Sequence, residues 1–553
     1  MRQLRIGVRL LRGIAWFVGA VAISANAQTF DVLYNFGSNS GDPSQPSITG
    51  ILAQGEDGNL YSTSPTGGAN GIGTVFKITP AGTLTVLYNF DGTHGQAPYS
   101  GLTLGKDGNF YGTTSAGGAN GYGTIFKVTP AGVLTTLHSF TNTDGASPHA
   151  PPIQGMDGNF YGTTLAGGSS AAGTVYKISS GGTFKVFAQI SYSVGYQSYA
   201  PLVQGTDGNF YGSLWDGGSG NAGSLFEVSS TGKFTAFHEF DISDGNGPYA
   251  PLIQGADGNF YGTTVGGGNN GTCRTACGVI FNITPSGTLT DLYVSNDSTD
   301  GWWFESGLVQ ASDGNFYGVA YDGGTGYGTI YEWTSGGIFS VLQSFDLTDG
   351  ANPGVTPTQH TNGILYGETY QGGTGSVSPC TAGSCGVIYS LNNSLPPFVQ
   401  LVTRSGKVGT KIGLLGQGFS ASSVVEFAGV KSLKVTPTGT TYLAATVPVG
   451  ALTGSVTVST SSGTLTSNAI FLVTPKITSF APPSGPVGTS VTITGVSLTQ
   501  TTSVTFDGVP ATSFTINSDT QVTAIVPTGA KTGKIGIVTL GGTATSTSIF
   551  TVT

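Results

Sequence analysis

The sequence predicts an all-β protein, in which a seven-bladed β-propeller of four-stranded blades is followed by two immunoglobulin-like β-sandwiches. The first observation behind this prediction is a phrase close to Asp-Gly-Asn-Phe-Tyr-Gly that recurs seven times in the first two-thirds of the chain. The copies begin at Asp57, Asp107, Asp157, Asp207, Asp257, Asp313 and Asn362, mostly at intervals of 50 residues. A fixed period of that length indicates a repeat architecture.

Each repeat reads as four antiparallel strands. Residues 98–140 contain four short runs of β-branched and aromatic residues, separated by glycine, asparagine, aspartate or proline. Asp107-Gly108 supplies the tight turn between the first two runs, and Pro130-Ala131-Gly132 forms the turn between the last two. Four meandering strands in roughly 40–50 residues favour propeller blades over a right-handed β-solenoid.

A displaced strand predicts how the ring closes. The fourth-strand pattern occurs seven times, and its first copy, at residues 30–36, precedes any complete repeat. The last repeat stops after residues 385–391 and lacks a fourth strand. We therefore predict that the N-terminal strand completes the final blade, which leaves no open sheet edge. A solenoid does not explain this displacement.

The rest of the chain divides into a leader and two further domains. Residues 1–27 combine four arginines, an apolar stretch and an Ala-Asn-Ala cleavage site, which predicts a secretory signal peptide. We place the propeller at residues 28–395. Residues 396–475 and 476–553 align with each other as alternating strands with glycine and proline turns, which indicates two small β-sandwiches.

Composition and charge narrow the class of partner. Only 8% of the residues are charged and 91 of 553 are glycine, which suits an exported β protein with a Thr/Ser/Gly-rich surface. Without residues 1–27 the chain holds 15 basic and 28 acidic residues, a net charge of −13. That balance argues against a nucleic acid or an anionic membrane as partner. We expect a secreted or cell-surface location with no membrane span after signal removal, and a monomer is compatible with the sequence.

The four cysteines form two close pairs, Cys273/Cys277 and Cys380/Cys385, each just before the third strand of its blade. Export and even pairing favour two local disulfides that staple loop insertions. A Cys₄ zinc site is the alternative, but the two blades are not adjacent and no Cys-x-x-Cys spacing occurs. We therefore predict no metal site and no cofactor.

Two resemblances rest on these motifs. The repeat pattern DGNFYGTTxxGGxxxxGTxFKxTPxG resembles the GloVer (Gloeo/Verruco) tandem repeat of exported bacterial proteins. Residues 482–495, PPSGPVGTSVTITG, are similar to IPT/TIG domains, which are immunoglobulin-like modules; the unit at 396–475 lacks the PxSG opening and matches less closely. Together the resemblances cover essentially the whole mature chain. The GloVer resemblance implies an architecture and no established activity.

The loops that vary between blades are the candidate binding region. In a meander, the Asp-Gly-Asn and Thr-Pro-x-Gly turns share one face, whereas the Gly-Gly loop and the loop before the first strand share the other. On that second face the candidate ligand-binding residues are Trp215, Asp216, Tyr321, Asp322, Tyr370, Gln371, Trp302, Trp303, Glu305 and Arg274. Aromatic rings stack on sugar faces while planar polar groups bond hydroxyls, so this set predicts a glycan site.

Structural roles compete with this interpretation. Trp215 and Tyr321 could fill gaps between blades. Three recurrent tyrosines just before the first strand are interpreted as structural: Tyr99, Tyr199 and Tyr249. Aspartates that precede glycine are interpreted as turn formers, although pairs such as Asp241/Asp244 could ligate Ca²⁺ through oxygen.

Three functions remain open. The first is a secreted or cell-surface binding or adhesion protein whose propeller face holds an extracellular glycan or other ligand. The second is a carbohydrate-active enzyme: a glycosidase with carboxylates among Asp216, Glu305, Asp322 and Glu368, or a lyase with His149 and a tyrosine. The third is a structural or adhesive protein with a protein partner. Motifs such as GxSxG and HExxH are absent from the sequence, so the catalytic residues are unknown and enzymatic activity is the less favoured hypothesis.

Overall fold

The computed structural model describes residues 28–46, 51–268, 277–296, 299–377, 380–381 and 383–553. In this part of the chain every regular element is a β-strand, and no helix is long and apolar enough to cross a membrane. The predicted signal peptide, residues 1–27, lies outside the described residues. The all-β class predicted from the sequence is confirmed.

Seven four-stranded antiparallel sheets form the blades of a propeller, and six of them are built from strands in chain order. Blade 1 consists of Ala53–Gln54, Leu60–Ser64, Thr74–Ile78 and Leu84–Asn89. Blade 2 consists of Thr103–Leu104, Phe110–Thr114, Thr124–Val128 and Leu134–Ser139. Blade 3 consists of Ile153–Gln154, Phe160–Thr163, Thr174–Ile178 and Phe184–Gln189. Blade 4 consists of Val203–Gln204, Phe210–Leu214, Ser224–Val228 and Phe234–Glu239. Blade 5 consists of Ile253–Gln254, Phe260–Thr264, Val279–Ile283 and Leu289–Val294. Blade 6 consists of Val309–Gln310, Phe316–Ala320, Thr329–Trp333 and Phe339–Ser344. An additional short pair joins Pro43–Ser44 to Thr66–Gly67.

The seventh blade is closed by the N-terminal strand. Thr29–Asn35 pairs antiparallel with Val387–Asn392, and the sheet continues through Leu365–Glu368 to Thr358–Gln359. The first and last strands of the propeller therefore share one sheet. This closure confirms the prediction made from the displaced fourth strand.

The repeated Asp-Gly-Asn-Phe-Tyr phrase fixes each blade to the next. In blade 4 the Tyr211 hydroxyl donates to one Asp207 carboxylate oxygen at 2.6 Å, and the Asn209 backbone N–H donates to the other at 3.0 Å. The Tyr211 ring packs on Phe260 of blade 5, with 4.2 Å between the ring centroids. Equivalent ring pairs join successive blades from 1 to 6 at 3.7 to 4.4 Å. The phrase recurs because it makes the contact between blades.

Glutamine side chains of the first strands form a second set of links between blades. Gln204 Oε1 accepts a hydrogen bond from the Met156 backbone N–H at 2.8 Å, which joins blade 4 to the turn of blade 3. The same bond occurs at five other junctions, with the acceptors Gln54, Gln154, Gln254, Gln310 and Gln359. Leu104 occupies the equivalent position in blade 2 and offers no acceptor to the turn of blade 1.

Two β-sandwiches of closely similar topology follow the propeller. The strands of the first are Gln400–Leu401, Lys411–Leu415, Tyr442–Thr446 and Val435–Thr438; Val430–Lys431, Val424–Phe427, Val456–Thr460 and Gly463–Thr466; and the parallel pair Ser405–Gly406 and Leu472–Val473. Those of the second are Lys476–Ala481, Ser490–Val496, Gln521–Ile525 and Phe514–Ser518; and Ser484–Gly485, Gly542–Val552, Gly533–Thr539, Thr501–Phe506 and Val509–Pro510. Each sandwich encloses its own apolar core.

The first sandwich is hydrogen-bonded to the turn face of the propeller, which is the face that carries the Asp-Gly-Asn and Thr-Pro-x-Gly turns; the opposite face, with the variable loops, is the loop face. Thr441 Oγ1 donates to the Glu56 carbonyl oxygen at 2.7 Å, and Gln417 Nε2 donates to Thr361 Oγ1 at 2.9 Å. Glu56 and Thr361 directly precede the Asp-Gly-Asn turn of blade 1 and its counterpart in blade 7. The sandwich therefore contacts the face opposite to the variable loops.

One predicted disulfide is confirmed. Cys380 and Cys385 are bonded, with 5.6 Å between their Cα atoms. Both pack in a core cluster with Phe36, which follows the closing N-terminal strand, so the bond holds the blade 7 insertion beside the ring closure. Cys277 also takes part in a disulfide, and Cys273, its predicted partner, lies outside the described residues.

Candidate ligand-binding site at the channel mouth

The variable loops of a blade are held together by short backbone bridges. The residue before Gly-Gly pairs with a residue in the loop that leads to the first strand, as in Tyr196 with Asp216 and Trp302 with Asp322. Trp303, which follows, has a φ of 56°. Equivalent positions in other blades also have positive φ: Ala97, Ser147, Gln197, Gly247 and Asn352. The left-handed backbone conformation at this position is therefore shared by the blades, so the side chains that differ between blades are attached to the same backbone conformation.

Residues just before the first strand form an arc around the propeller axis. Blades 2 to 6 place Tyr99, His149, Tyr199, Tyr249 and Glu305 at this position. The rings of Tyr99 and His149 stack with 5.0 Å between centroids. The His149 and Tyr199 rings are 5.4 Å apart, and those of Tyr199 and Tyr249 stack at 4.7 Å. Because consecutive blades bring their residues this close, the arc lies where the innermost strands converge, at the mouth of the central channel.

Aromatic residues of the Gly-Gly loops complete the site. The Trp215 ring lies edge-on to Tyr249, with 5.2 Å between centroids. Burial raises the pKa of Tyr321 to about 12, and the nearby Glu305 carboxylate and Tyr370 phenol add to that rise. The channel-mouth cluster is defined here as Tyr99, His149, Tyr199, Tyr249, Glu305, Tyr321, Tyr370 and Trp215.

Glu305 is the acidic member of the channel-mouth cluster. Its side chain is partly buried, and no hydrogen-bond donor among the described residues contacts its carboxyl group. Burial disfavours the charged form and raises the pKa of Glu305 to about 7. The carboxyl group therefore gains or loses its proton near neutral pH.

The neighbouring titratable groups have pKa values shifted towards their neutral forms. Burial lowers the pKa of His149 to about 4, so the imidazole is uncharged at neutral pH. Burial, with a contribution from the Glu305 carboxylate, raises the pKa of Tyr249. Burial also raises the pKa of Tyr99 and of Tyr199. Of these groups and Glu305, Glu305 is thus the one whose charge changes near neutral pH. Besides burial, the Asp216 carboxylate also contributes to the raised pKa of Tyr199.

The structure brings four residues of the predicted set into the cluster: Trp215, Glu305, Tyr321 and Tyr370. Two further members lie at its edge. Trp302 and Trp303 pack on each other at 5.6 Å between centroids, and the Trp303 ring is 6.3 Å from that of Tyr321. Trp303 is 37% exposed, so its ring extends the aromatic surface outward from the cluster.

The polar members of the predicted set lie in the variable loops beside the channel-mouth cluster. Besides burial, the Asp216 carboxylate contributes to the raised pKa of Tyr199, and the Asp322 carboxylate contributes to that of Tyr321. The backbones of Asp216, Asp322 and Gln371 form the bridges to the neighbouring loop. Asp322 Oδ1 also accepts a hydrogen bond from the Gly323 backbone N–H at 2.9 Å. Arg274 lies outside the described residues.

Glu368, a catalytic carboxylate in the sequence-based hypothesis of a glycosidase, is misplaced for that role. It is 0% exposed in the second strand of blade 7, and neither carboxyl oxygen has a well-formed hydrogen bond. Burial raises the pKa of Glu368 to about 8, and nearby Ser62 of blade 1 offsets this in part. A fully buried carboxyl group does not contact a ligand on the loop face, so this part of the hypothesis is wrong.

Sequence reasoning gave Tyr99, Tyr199 and Tyr249 a structural role because they recur. The structure places them in the channel-mouth cluster with partly exposed rings, whereas Tyr61 and Tyr111 of the Asp-Gly-Asn phrase are 0% exposed. The signal that separates the two sets is their place in the repeat. A residue just before the innermost strand faces the axis, whereas the phrase lies between blades.

Histidines and aspartates outside the cluster stabilise turns. His138 Nε2 lies 3.0 Å from Asp144, and His238 Nε2 lies 2.9 Å from Asp244. Asp244 also accepts the Asp241 backbone N–H at 2.8 Å, which accounts for this pair as a turn. Among the residues that the structure describes, no group of three or more His, Cys, Asp or Glu side chains is arranged to hold a metal ion.

The repeats match a known family. The Gloeobacter/Verrucomicrobia repeat profile matches residues 19–202 and 148–380, which together make up more than half of the chain. The chain belongs to the Gloeobacter/Verrucomicrobia repeat family. The IPT/TIG domain profile matches residues 475–553 of this repeat protein. The matches confirm the resemblance of the repeats and, for the second sandwich, the IPT/TIG resemblance. No curated protein matches the chain.

Solved structures resemble this repeat protein weakly. A fungal alcohol oxidase of the AA5 family, in complex with copper, is 12% identical over 93% of this chain and 100% of its own, with a TM-score of 0.45. A gluconolactonase from Xanthomonas campestris is 12% identical over 68% and 93%, with a TM-score of 0.34. SGBP-B from a xyloglucan utilization locus in Bacteroides uniformis is 21% identical over 28% of this chain and 48% of its own, with a TM-score of 0.15. The match spans about half the length of SGBP-B, and values this low assign neither activity nor ligand.

Proposed function

We propose that this repeat protein is a secreted or cell-surface binding protein whose propeller binds an extracellular glycan at the channel-mouth cluster. The observation that carries the proposal is the convergence, from six blades, of aromatic rings around one partly buried carboxyl group. A rigid ring of blades that presents aromatic faces with a few polar groups is typical of a small-molecule or sugar site.

The chemistry of the cluster suits a sugar ring. The faces of Tyr249 and Trp215 lie nearly perpendicular, at 88°, so they form an angled wall against which an apolar sugar face can stack. The phenol hydroxyls of Tyr321 and Tyr370 and the carboxyl group of Glu305 supply donors and acceptors for sugar hydroxyls.

The compartment and the domain order support an extracellular role. The predicted signal peptide and the Cys380–Cys385 disulfide fit an oxidising environment. The first sandwich is hydrogen-bonded to the turn face of the propeller. It therefore does not cover the channel mouth, which lies on the loop face. In this proposal the two sandwiches act as a spacer or as a contact module for a surface partner.

The test is a binding screen of the purified full-length protein against a panel of polysaccharides, read by size exclusion with carbohydrate detection. We expect co-elution of the protein with at least one intact polymer. The double variant Trp215→Ala/Tyr321→Ala should bind that polymer about tenfold more weakly, because two stacking surfaces are lost.

A matched aromatic variant controls for general effects of losing a surface ring. Tyr192 is 54% exposed in the turn after the fourth strand of blade 3, outside the cluster. The Tyr192→Ala variant should bind as tightly as the unmodified protein. Unchanged binding by the double variant, or an equal loss in Tyr192→Ala, would remove the channel mouth as the glycan site.

A carbohydrate-active enzyme is the second candidate function, and one observation favours it. A general acid works best when its pKa lies near the working pH, and the pKa of Glu305 is raised to about 7. In the same screen, an enzyme would shorten the polymer instead of carrying it intact. Glu305→Gln should abolish that shortening while polymer binding persists.

A further inference from the structure

The charge balance at the channel mouth is incomplete within the described residues. All six lysines of residues 28–395 lie in third strands, in or beside fourth strands, or in the Asp-Gly-Asn turn: Lys77, Lys106, Lys127, Lys177, Lys185 and Lys233. Two of them pair with carboxylates on the turn face: Lys177 Nζ lies 2.8 Å from Asp157, and Lys77 Nζ lies 4.0 Å from Asp57. No described lysine is available to Glu305 on the loop face.

The rings around Glu305 add negative potential to the same place. The carboxylate acts electrostatically on Tyr249 and Tyr321, and Tyr321 is in turn affected by Tyr370. Besides burial, Tyr370 also contributes to the raised pKa of Tyr99, so Tyr370 lies near both Tyr99 and Tyr321. Aromatic faces attract cations through their quadrupole, most strongly when the cation is shielded from water.

Resting on the glycan-binding function proposed above, we propose that the channel-mouth cluster selects a saccharide that carries a protonated amino group, and that its ammonium is held between Glu305 and the faces of the surrounding tyrosines. Beside a neutral sugar, the ionised form of Glu305 receives no counter-charge from the described residues, and an unpaired, partly buried carboxylate costs free energy. An ammonium supplies the counter-charge and gains cation–π contacts at the same time. The amino sugar is thus the class of glycan that provides a counter-charge for the ionised Glu305 carboxylate.

The first experiment compares three matched β-1,4-linked tetrasaccharides, built from glucosamine, N-acetylglucosamine or glucose. They differ only in the group at carbon 2, which is an ammonium, an amide or a hydroxyl. Isothermal titration of the full-length protein near pH 7 should give about tenfold tighter binding of the glucosamine tetrasaccharide than of either neutral one.

Two charge-matched variants separate the site from the net negative charge of the protein. Glu305→Gln should remove the preference and bring the three affinities together. Glu426→Gln removes the same charge from a strand of the first sandwich and should leave the preference intact. An equal loss of preference in both variants would show attraction by net charge and overturn the inference.

The outcomes also separate this inference from the proposed function. If the neutral tetrasaccharides bind as tightly as the amino one and the Trp215→Ala/Tyr321→Ala variant loses all three, the glycan site stands and the selectivity for an amino group is wrong. If none of the three binds, the selectivity is likewise wrong, and the polysaccharide panel alone decides the function.

A second measurement uses tetramethylammonium, whose charge does not depend on pH. A cation binds only the ionised form of Glu305, so its affinity should rise with pH through about pH 7 and level off above it. The other titratable groups near Glu305 on the loop face are Tyr249, Tyr321, Tyr370, Tyr99, Tyr199, His149, Asp216 and Asp322. The raised pKa of the Tyr249 and Tyr321 phenols and the lowered pKa of His149 keep these three groups from titrating near pH 7. A flat profile, or the same rise in Glu305→Gln, would contradict the assignment.

Discussion

The two faces of the propeller use their tyrosines differently. On the turn face, Tyr211 is buried, bonded to Asp207 and packed on Phe260 of the next blade, and its counterparts in blades 1, 2, 3 and 5 repeat these contacts. On the loop face, Tyr249 is partly exposed, and the equivalent residue of the next blade is Glu305. Recurrence in the sequence is therefore not enough to separate scaffold from site. Burial between blades marks the scaffold, and exposure around the axis marks the site.

The largest expected effect is on the turn face. Tyr211→Ala removes a buried ring from the contact between blades 4 and 5, and it should lower the free energy of unfolding by about 3–5 kcal/mol. Thermal and denaturant unfolding measure this loss. Ligand binding at temperatures where the variant remains folded should be unchanged, because Tyr211 lies away from the channel mouth.

Two companion variants sharpen that comparison. Tyr211→Phe keeps the ring and removes only the hydrogen bond to Asp207, so it should cost about 1 kcal/mol. Tyr249→Ala, on the loop face, should weaken binding more than it lowers stability. If Tyr249→Ala destabilises the protein as much as Tyr211→Ala, the two faces do not differ in the way described here.

The fold could be predicted from the sequence because it rests on local patterns. The phrase at Asp107 fixes a turn, the β-branched runs fix strands, and the strand at residues 30–36 has no partner other than the last blade. The channel-mouth cluster was only partly predictable. Trp215 and Tyr321 differ from their counterparts in other blades, which predicts a binding role for them. Tyr199 recurs as Tyr99 and Tyr249, and recurrence predicts a structural role.

Glu368 is buried inside the propeller at a position where most other blades have serine or threonine. Its pKa is raised by burial to about 8, so the folded protein retains a proton that the unfolded chain releases above about pH 4.5. Stability should therefore fall as the pH rises from about 4.5 to about 8, by up to about 1.4 kcal/mol per pH unit, and then level off. Glu368→Gln, which mimics the protonated acid, should remove this part of the slope.

The measurement is the difference between the unfolding free energies of the unmodified protein and of Glu368→Gln across that pH range. Using a difference cancels the contributions of other carboxyl groups, including Glu305. Glu426→Gln provides the control, because Glu426 lies in a strand of the first sandwich, away from the blade 7 junction. Parallel curves for the unmodified protein and Glu368→Gln would mean that Glu368 does not carry its proton in the folded state.

Glu368 also shows why sequence alone misassigned some polar residues. Most of the corresponding positions in other blades hold serine or threonine, and Thr263, for example, donates to the Ser306 carbonyl oxygen of the next blade at 2.7 Å. A glutamate at this place looks like an acquired functional group when only the sequence is considered. The strand register determines which way the Glu368 side chain points, and it places this side chain between blades 7 and 1, out of contact with solvent.

The smallest expected effect tests the glutamine links between blades. Gln204 accepts from the Met156 N–H and donates to the Gly208 carbonyl oxygen, so Gln204→Leu should cost about 1–2 kcal/mol. Leu104→Gln introduces the same side chain at the junction of blades 1 and 2 and should raise stability by up to about 1 kcal/mol, since it offers an acceptor to the turn at Glu56. Denaturant midpoints of both variants measure the pair. Opposite signs would show that the link acts as a unit of the repeat, whereas a loss in both variants would mean that the packing around Leu104 has adapted to the absence of the bond.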